Sequence, residues 1–303
     1  MFTTEAIFII IISVEFIVGV LGNGYIVLVN WIDWIKKKKI SSIDYILTSL
    51  AISRICLVGT IVLHGILIVL YPHAYENHKL QVFLFSFWTI FNYLSMYFVT
   101  CLSVFYFLKV ASFSHPLFLW LKWRIDRMVH WILLGCFAIS LLVFFVLEPI
   151  LSCTFKVHRI TNHKRNGTEM FNVSKIHYFE PLTLFNLFAM IPFIISLISF
   201  FLLMVSLWRH TKQMKLNATG CRDPSIEAHV RAMKIIISFF FFFFIYCVVS
   251  LLVTFSYLMV EQKLIMMIGE IIAILYPLGH SLMLILGNNK LRQASVKMLM
   301  CRK

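Results

Sequence analysis

The chain has 303 residues, of which 61% are hydrophobic and 13% charged, with a formal net charge of +14. Soluble domains carry roughly 25% charged residues, and 30 phenylalanines, including the run Phe239–Phe244, are more than a water-soluble core of this length can hide. A soluble domain is excluded; so is a nucleic-acid binder, because the basic residues are scattered among loops and not gathered on one folded face.

Seven apolar windows reach the roughly 20 residues needed to cross a bilayer: about 6–31, 45–70, 82–108, 128–147, 182–207, 232–258 and 265–286. They predict an all-α integral membrane bundle of seven transmembrane helices, a single receptor-sized domain over 1–303 with a cytosolic amphipathic tail at 287–303. The first window is a retained span and not a signal peptide. It lacks a basic leader, its apolar part is too long, and no small-residue cleavage site follows before Lys36. Only Glu5 is charged ahead of it, whereas Lys36–Lys39 follow it at once. The positive-inside rule therefore places the N-terminus outside and the C-terminus in the cytosol. Most of the 27 Lys and Arg then lie on the cytosolic face, where they attract anionic lipid or an acidic partner.

Span one contributes Glu15 and Asn23. In span two, Arg54 stands some ten residues from the cytosolic end, roughly 15 Å deep at 1.5 Å per residue. An ionisable group at that depth marks a functional position, because it costs about 2.5–3.5 kcal/mol even on favourable scales. Span three carries Trp88 and Asn92, four apart and so on one helix face, with Met96 next below. It closes with "FYFLK" (Phe105–Lys109). The chain then turns at "SFSHP", since Pro116 disfavours helix in the residue before it. Trp120, Lys122, Trp123 and Arg124 follow at headgroup level.

The longest outer loop, about 148–181, holds sequons at Asn166 and Asn172. Asn166, nearer the middle, is the favoured glycosylation site, with Asn172 second. A third sequon, at Asn217, falls on the cytosolic side, beyond the reach of glycosylation enzymes. Of seven cysteines, Cys56, Cys101, Cys136 and Cys247 fall in spans and Cys221 and Cys301 in the reducing cytosol. Cys153 alone is expected outside, without an intrachain partner.

Pro192 and Pro277 are the prolines within spans, each free to kink its helix. Span seven adds Glu270, roughly 9 Å below the outer surface like Trp88, and His280 and Ser281 near the depth of Asn23 and Arg54. Two clusters are thus expected. Asn23, Arg54, His280 and Ser281 form a deep one that couples the faces or merely glues helices. Trp88, Asn92, Met96 and Glu270 form a shallower one, suited to a small organic ligand in a mostly apolar pocket unless Trp88 simply joins the interfacial aromatic belt. No catalytic set, metal-ligand spacing or phosphate loop is present, so no enzyme activity, cofactor or metal is expected. A transporter or channel is the rival reading, but it needs a continuous polar pathway, and apolar sequence separates the two clusters.

Seven spans with this orientation favour a G-protein-coupled receptor. "FYFLK", where a rhodopsin-like receptor would carry Asp/Glu-Arg-Tyr, resembles the bitter taste receptors, the taste receptor type 2 family. "GNGYIVLVNWIDW", "LTSLAISR", "LLMVSLWRH", "GCRDPSIEAHVRAMK" and "HSLMLILGNNKLRQ" match the same family in order along nearly the whole chain. Cys221 departs from the small residue common at its position. The resemblance implies a plasma-membrane receptor that detects bitter small molecules. It implies ligand contacts at Trp88, Asn92 and Glu270, and an activation switch that includes Tyr246 and Tyr276. It also implies coupling at Tyr106, Lys109 and His210 to a gustducin-type heterotrimeric G protein, with phospholipase C and calcium release downstream. The family's lack of an outer disulfide agrees with unpaired Cys153.

Overall fold

The computed structural model describes residues 2–37, 40–75, 77–111, 113, 115–163, 168–217, 237, 240–252, 254 and 262–300. Every regular element among them is a helix: α1 (Phe2–Lys37), α2 (Ser42–Leu70), α3 (Pro72–Tyr75), α4 (His78–Val110), α5 (Pro116–His163), α6 (Thr168–Asn217), α7 (Phe240–Leu252), α8 (Gln262–Gly287) and α9 (Asn289–Met300). Six are long and apolar enough to cross a membrane, and α7 is a shorter apolar helix. They occupy the seven windows in order, α3 being a turn between spans two and three and α9 the tail.

The helix ends follow local chemistry. Ser41, in extended conformation, caps α2 by accepting from the Asp44 amide at 3.3 Å, and Asp44 itself sits in the favourable first turn. Asn77 caps α4 through the Lys79 amide at 3.0 Å. At the other end of α4, Lys109 lies in the last turn and Ala111 is extended. Pro116 opens α5 at a first-turn position, where its missing N–H costs nothing. Asn288 breaks α8 from α9 and caps the latter, its Oδ1 accepting from the Lys290 amide at 2.9 Å.

α4 is the hub, packed against α2, α5 and α6, while α1 packs on α2 and α8. A large apolar core runs through the middle and inner parts of the bundle. A smaller one, built from Phe8, Ile12, Leu57, Val58, Ile61, Val62, Met267 and Ile274, joins α1, α2 and α8. Ile10, Leu21, Trp131, Leu142, Phe145 and Phe201 are exposed. Lipid tails are as apolar as these side chains, so helix association must come from close packing and buried polar contacts.

Two expectations change. α5 and α6 extend into the segment expected as an outer loop, to His163 and from Thr168. Pro149 therefore lies inside a helix, as Pro192 and Pro277 do; the single backbone hydrogen bond it removes is lost near the outer end of the apolar run. In addition, α5 begins at Pro116 and not near 128, so Trp120 to Arg124 ride on a helix, with the Arg124 guanidinium 4.8 Å over the Trp120 ring. Asn166 lies outside the described residues, as do the side chains of Asn172 and His210.

Candidate functional site

Arg54 is fully buried, 0% exposed. A cation there is tolerable only with partners, and losing one typically costs 3–5 kcal/mol. α8 supplies them. Arg54 Nη1 donates to Ser281 Oγ at 3.0 Å, and Nη2 donates to His280 Nδ1. Guanidinium has no acceptor, so Nδ1 is the accepting nitrogen and the imidazole proton sits on Nε2. The Ser281 hydroxyl has Asn23 Oδ1 at 2.8 Å and the Pro277 carbonyl at 2.7 Å as acceptors for its one proton. Asn23 in turn donates to the Gly19 carbonyl at 2.8 Å. Residues from α1, α2 and α8 thus meet in one hydrogen-bonded knot.

This knot is not separated from α4 by apolar packing, as the sequence suggested. Arg54 lies 5.9 Å from the centroid of the Tyr276 ring. Tyr276 stacks on Tyr246 with centroids 5.0 Å apart and on Phe243 at 5.3 Å. The Tyr246 hydroxyl donates to Asn92 Oδ1 at 2.9 Å, and Asn92 Nδ2 points to Met96 Sδ at 3.8 Å. Asn92 is 4% exposed; its amide is turned into the bundle. The path Asn92–Tyr246–Tyr276–Arg54–Ser281–Asn23 therefore runs through α4, α7, α8, α2 and α1.

Glu270 has a different neighbour from the one that depth matching suggested. Its Oε1 lies 2.5 Å from His64 Nδ1 on α2, while Asn92 is committed to Tyr246. A carboxylate in an apolar setting takes the nearest donor at its own depth, and on the adjoining helix that is His64. The other oxygen, Oε2, has no hydrogen-bond partner among the described residues. It rests against Gly65, where an added Cβ would lie 2.7 Å from Oε2, 3.0 Å from Ile12 Cδ1 and 3.0 Å from Phe8 Cζ. Trp88 is half-buried, packs against both apolar cores and stacks on Phe185 of α6 at 4.6 Å. Glu15 faces inward, 7% exposed, with its Oε2 also lacking a partner among the described residues.

At the inner end, a cavity of about 180 Å³ opens between α4, α6, α7 and α8, lined by Ser103, Tyr106, Leu203, Phe240, His280 and Asn288 among others. Lys109 is instead tied to Asp126 of α5 at 2.5 Å. Lys290 bridges Asp33 at 2.9 Å and Asp44 at 3.0 Å and donates to Asn30 Oδ1 at 3.1 Å, clamping α9 beneath α1 and α2. The arrangement suits binding and switching. Among the described residues, no group of three His, Cys, Asp or Glu is placed to hold a metal ion.

His64 and Gly65 escaped sequence reading, although a signal existed. His64 lies six residues from the outer end of α2, roughly the 9 Å depth assigned to Glu270. The Lys290 clamp had no such signal, since it depends on where α9 folds back.

Comparison with known proteins fits this geometry. The family model described as taste receptor protein (TAS2R) matches residues 1–303. Taste receptor type 2 member 8 of Homo sapiens is 68% identical over 299 residues, covering 99% of this chain and 97% of that protein. The Pan troglodytes protein of the same name gives the same figures. Taste receptor type 2 member 7 of Papio hamadryas is 52% identical over 285 residues, 94% of this chain and 90% of that protein.

Proposed function

The chain belongs to the taste receptor type 2 family, and on that premise we propose how this plasma-membrane receptor for bitter compounds takes up an agonist and passes the signal to its G protein. It is a receptor and not a transporter. Residues 1–303 act as one receptor unit. Agonists enter the outer third of the bundle, where Trp88 offers a packing plate and Glu270 a polar anchor. An oxygen of Glu270 without a hydrogen-bond partner among the described residues supports the second role, because buried acceptors are normally satisfied. His64 already occupies the other oxygen, so a cationic or hydrogen-bond-donating agonist competes with an internal partner.

The contact path from Asn92 to Asn23 carries the reading. An agonist that shifts Trp88 or Asn92 on α4 disturbs the Tyr246 hydrogen bond one step away, and Tyr246 rests on the ring that lies beside Arg54. Asn23, Arg54, Tyr246, Tyr276, His280 and Ser281 form the switch. His280 also lines the inner cavity with Tyr106, so rearrangement of the knot reshapes the surface offered to the G protein. That protein is of the gustducin type, with phospholipase C and calcium release downstream; Lys109 and His210 flank its docking surface, and the outer segment carries glycan on Asn166 or Asn172.

Reconstitution tests this. Full-length receptor in lipid vesicles with a gustducin-type heterotrimer should accelerate guanine-nucleotide exchange when members of a bitter-compound panel are added. Absence of compound-dependent exchange across the panel, in receptor shown to be folded and correctly oriented, would overturn the coupling assignment.

A further inference from the structure

Cys101 on α4 and Cys136 on α5 have no role in the path described above, yet their sulfurs lie 3.4 Å apart. Cys136 is buried and Cys101 half-buried, and both are free thiols. They belong to different helices, and either sulfur can donate to the other. Among the described cysteines, Cys56, Cys153 and Cys247 show no comparable sulfur partner. A disulfide needs an S–S separation of about 2.05 Å, so the two sulfurs must close by roughly 1.3 Å. Closure by that amount calls for side-chain rotation and helix approach.

We infer that Cys101 and Cys136 form an oxidisable dithiol, a modification site at which a membrane-permeant hydroperoxide converts two thiols into a covalent tie between α4 and α5. In the first step one sulfur attacks hydrogen peroxide. The O–O bond breaks, the sulfur takes up hydroxyl as a sulfenic acid, and its proton leaves with the other oxygen as water. In the second step the neighbouring sulfur attacks the sulfenic sulfur. The S–O bond breaks, the S–S bond forms, and the departing hydroxyl takes the second thiol proton as water. Two thiols are oxidised, one peroxide is reduced to two waters, and no further reactant is needed. Adjacency decides the product: a sulfenic acid normally waits for a resolving thiol, and here one is already in contact.

The location gives the tie a consequence. Cys101 is nine residues above the inner end of α4, roughly 13 Å. The adjacent Thr100 holds α6 through Ser196 Oγ at 2.8 Å and the Pro192 carbonyl at 3.1 Å. A bond at Cys101 would fix α4 to α5 at the level where it is already tied to α6, restraining the hub helix that carries Asn92.

The test treats full-length receptor in native-lipid vesicles with hydrogen peroxide, then unfolds it in detergent with excess maleimide and maps the peptides without reduction. A Cys101–Cys136 linked peptide is expected, two hydrogens lighter than the separate pair and lost on treatment with dithiothreitol. In Cys101→Ser the link is absent and Cys136 accepts maleimide. Recovery of both wild-type thiols as maleimide adducts, or as separate sulfinic acids, overturns the proposal without reliance on any variant. Agonist-driven exchange should fall at least twofold in oxidised wild type, recover with dithiothreitol and stay unchanged by peroxide in Cys101→Ser. Undiminished exchange in receptor that is fully linked overturns the restraint.

Discussion

Replacing Gly65 by alanine probes the outer junction of α1, α2 and α8 through a single methyl group. That methyl would lie 2.7 Å from Glu270 Oε2 and 3.0 Å from both Ile12 and Phe8. The two apolar atoms are far ends of side chains and can yield a few tenths of an ångström. The carboxylate is held at its other oxygen by His64 at 2.5 Å, so moving it away strains or breaks that contact. Overpacking of a formed core costs about 1–3 kcal/mol, and loss of a charge-assisted hydrogen bond about 1.5–3 kcal/mol. These effects overlap, because the carboxylate either stays and clashes or leaves and loses His64. A net loss of about 2 kcal/mol is expected, read as a lower thermal midpoint of purified receptor in micelles. In a Glu270→Ala background the clash partner is gone, so Gly65→Ala should cost less than about 1 kcal/mol. Equal cost in both backgrounds would refute the placement of Glu270 against Gly65.

Glu270→Gln should right-shift responses to basic agonists by about tenfold or more, the equivalent of 1.5–3 kcal/mol, and leave neutral agonists nearly unchanged. Trp88→Ala should weaken both classes; equal shifts for both ligands in Glu270→Gln would make that residue a structural element of α8. Lys109→Ala should barely alter the thermal midpoint, since a half-exposed ion pair contributes about 0–1 kcal/mol, yet reduce exchange by a similar factor for every agonist. Asp126→Asn, which releases Lys109, should not reproduce that loss, and agonist-selective effects would move Lys109 out of the coupling surface. Asn166→Gln should alter the gel mobility of glycosylated receptor while Asn217→Gln does not; a glycan on Asn217 would contradict the orientation.

Hydropathy and lysine placement made the membrane class and the order of the helices legible, because bilayer thickness fixes span length and loop charge fixes direction. Depth counting also brought Asn23, Arg54, His280 and Ser281 to one level, since a helix rises by a constant amount per residue. Rotation about the helix axis is what depth cannot supply. Trp88 and Asn92 share a face by spacing, yet Asn92 turns to Tyr246 while Trp88 stacks on Phe185. Glu270 went to His64 for the same reason: two helices present residues at the same depth, and packing decides which of them meet. The Tyr246–Tyr276 stack joins clusters that looked separate because aromatic rings read as apolar filler in a span rich in phenylalanine. The extension of α5 past Pro149 was hidden because hydropathy marks where an apolar run ends and not where the helix does, and an internal proline removes only a single backbone hydrogen bond.

The central claim is that outer and inner groups form one connected switch. It is tested most directly by a double-mutant cycle across the path, with agonist-stimulated nucleotide exchange as the readout. Tyr246→Phe removes the hydroxyl that donates to Asn92 but keeps the stack on Tyr276. Ser281→Ala removes the link between Arg54 and Asn23. The two side chains touch through intermediaries, Tyr276 and Arg54, and substitutions at independent sites normally add within about 0.3–0.5 kcal/mol. A connected path predicts that each variant lowers maximal exchange and that the double variant is little worse than the poorer single one, a coupling of about 1 kcal/mol. Losses that multiply independently would contradict the path and leave the knot around Arg54 as structural glue.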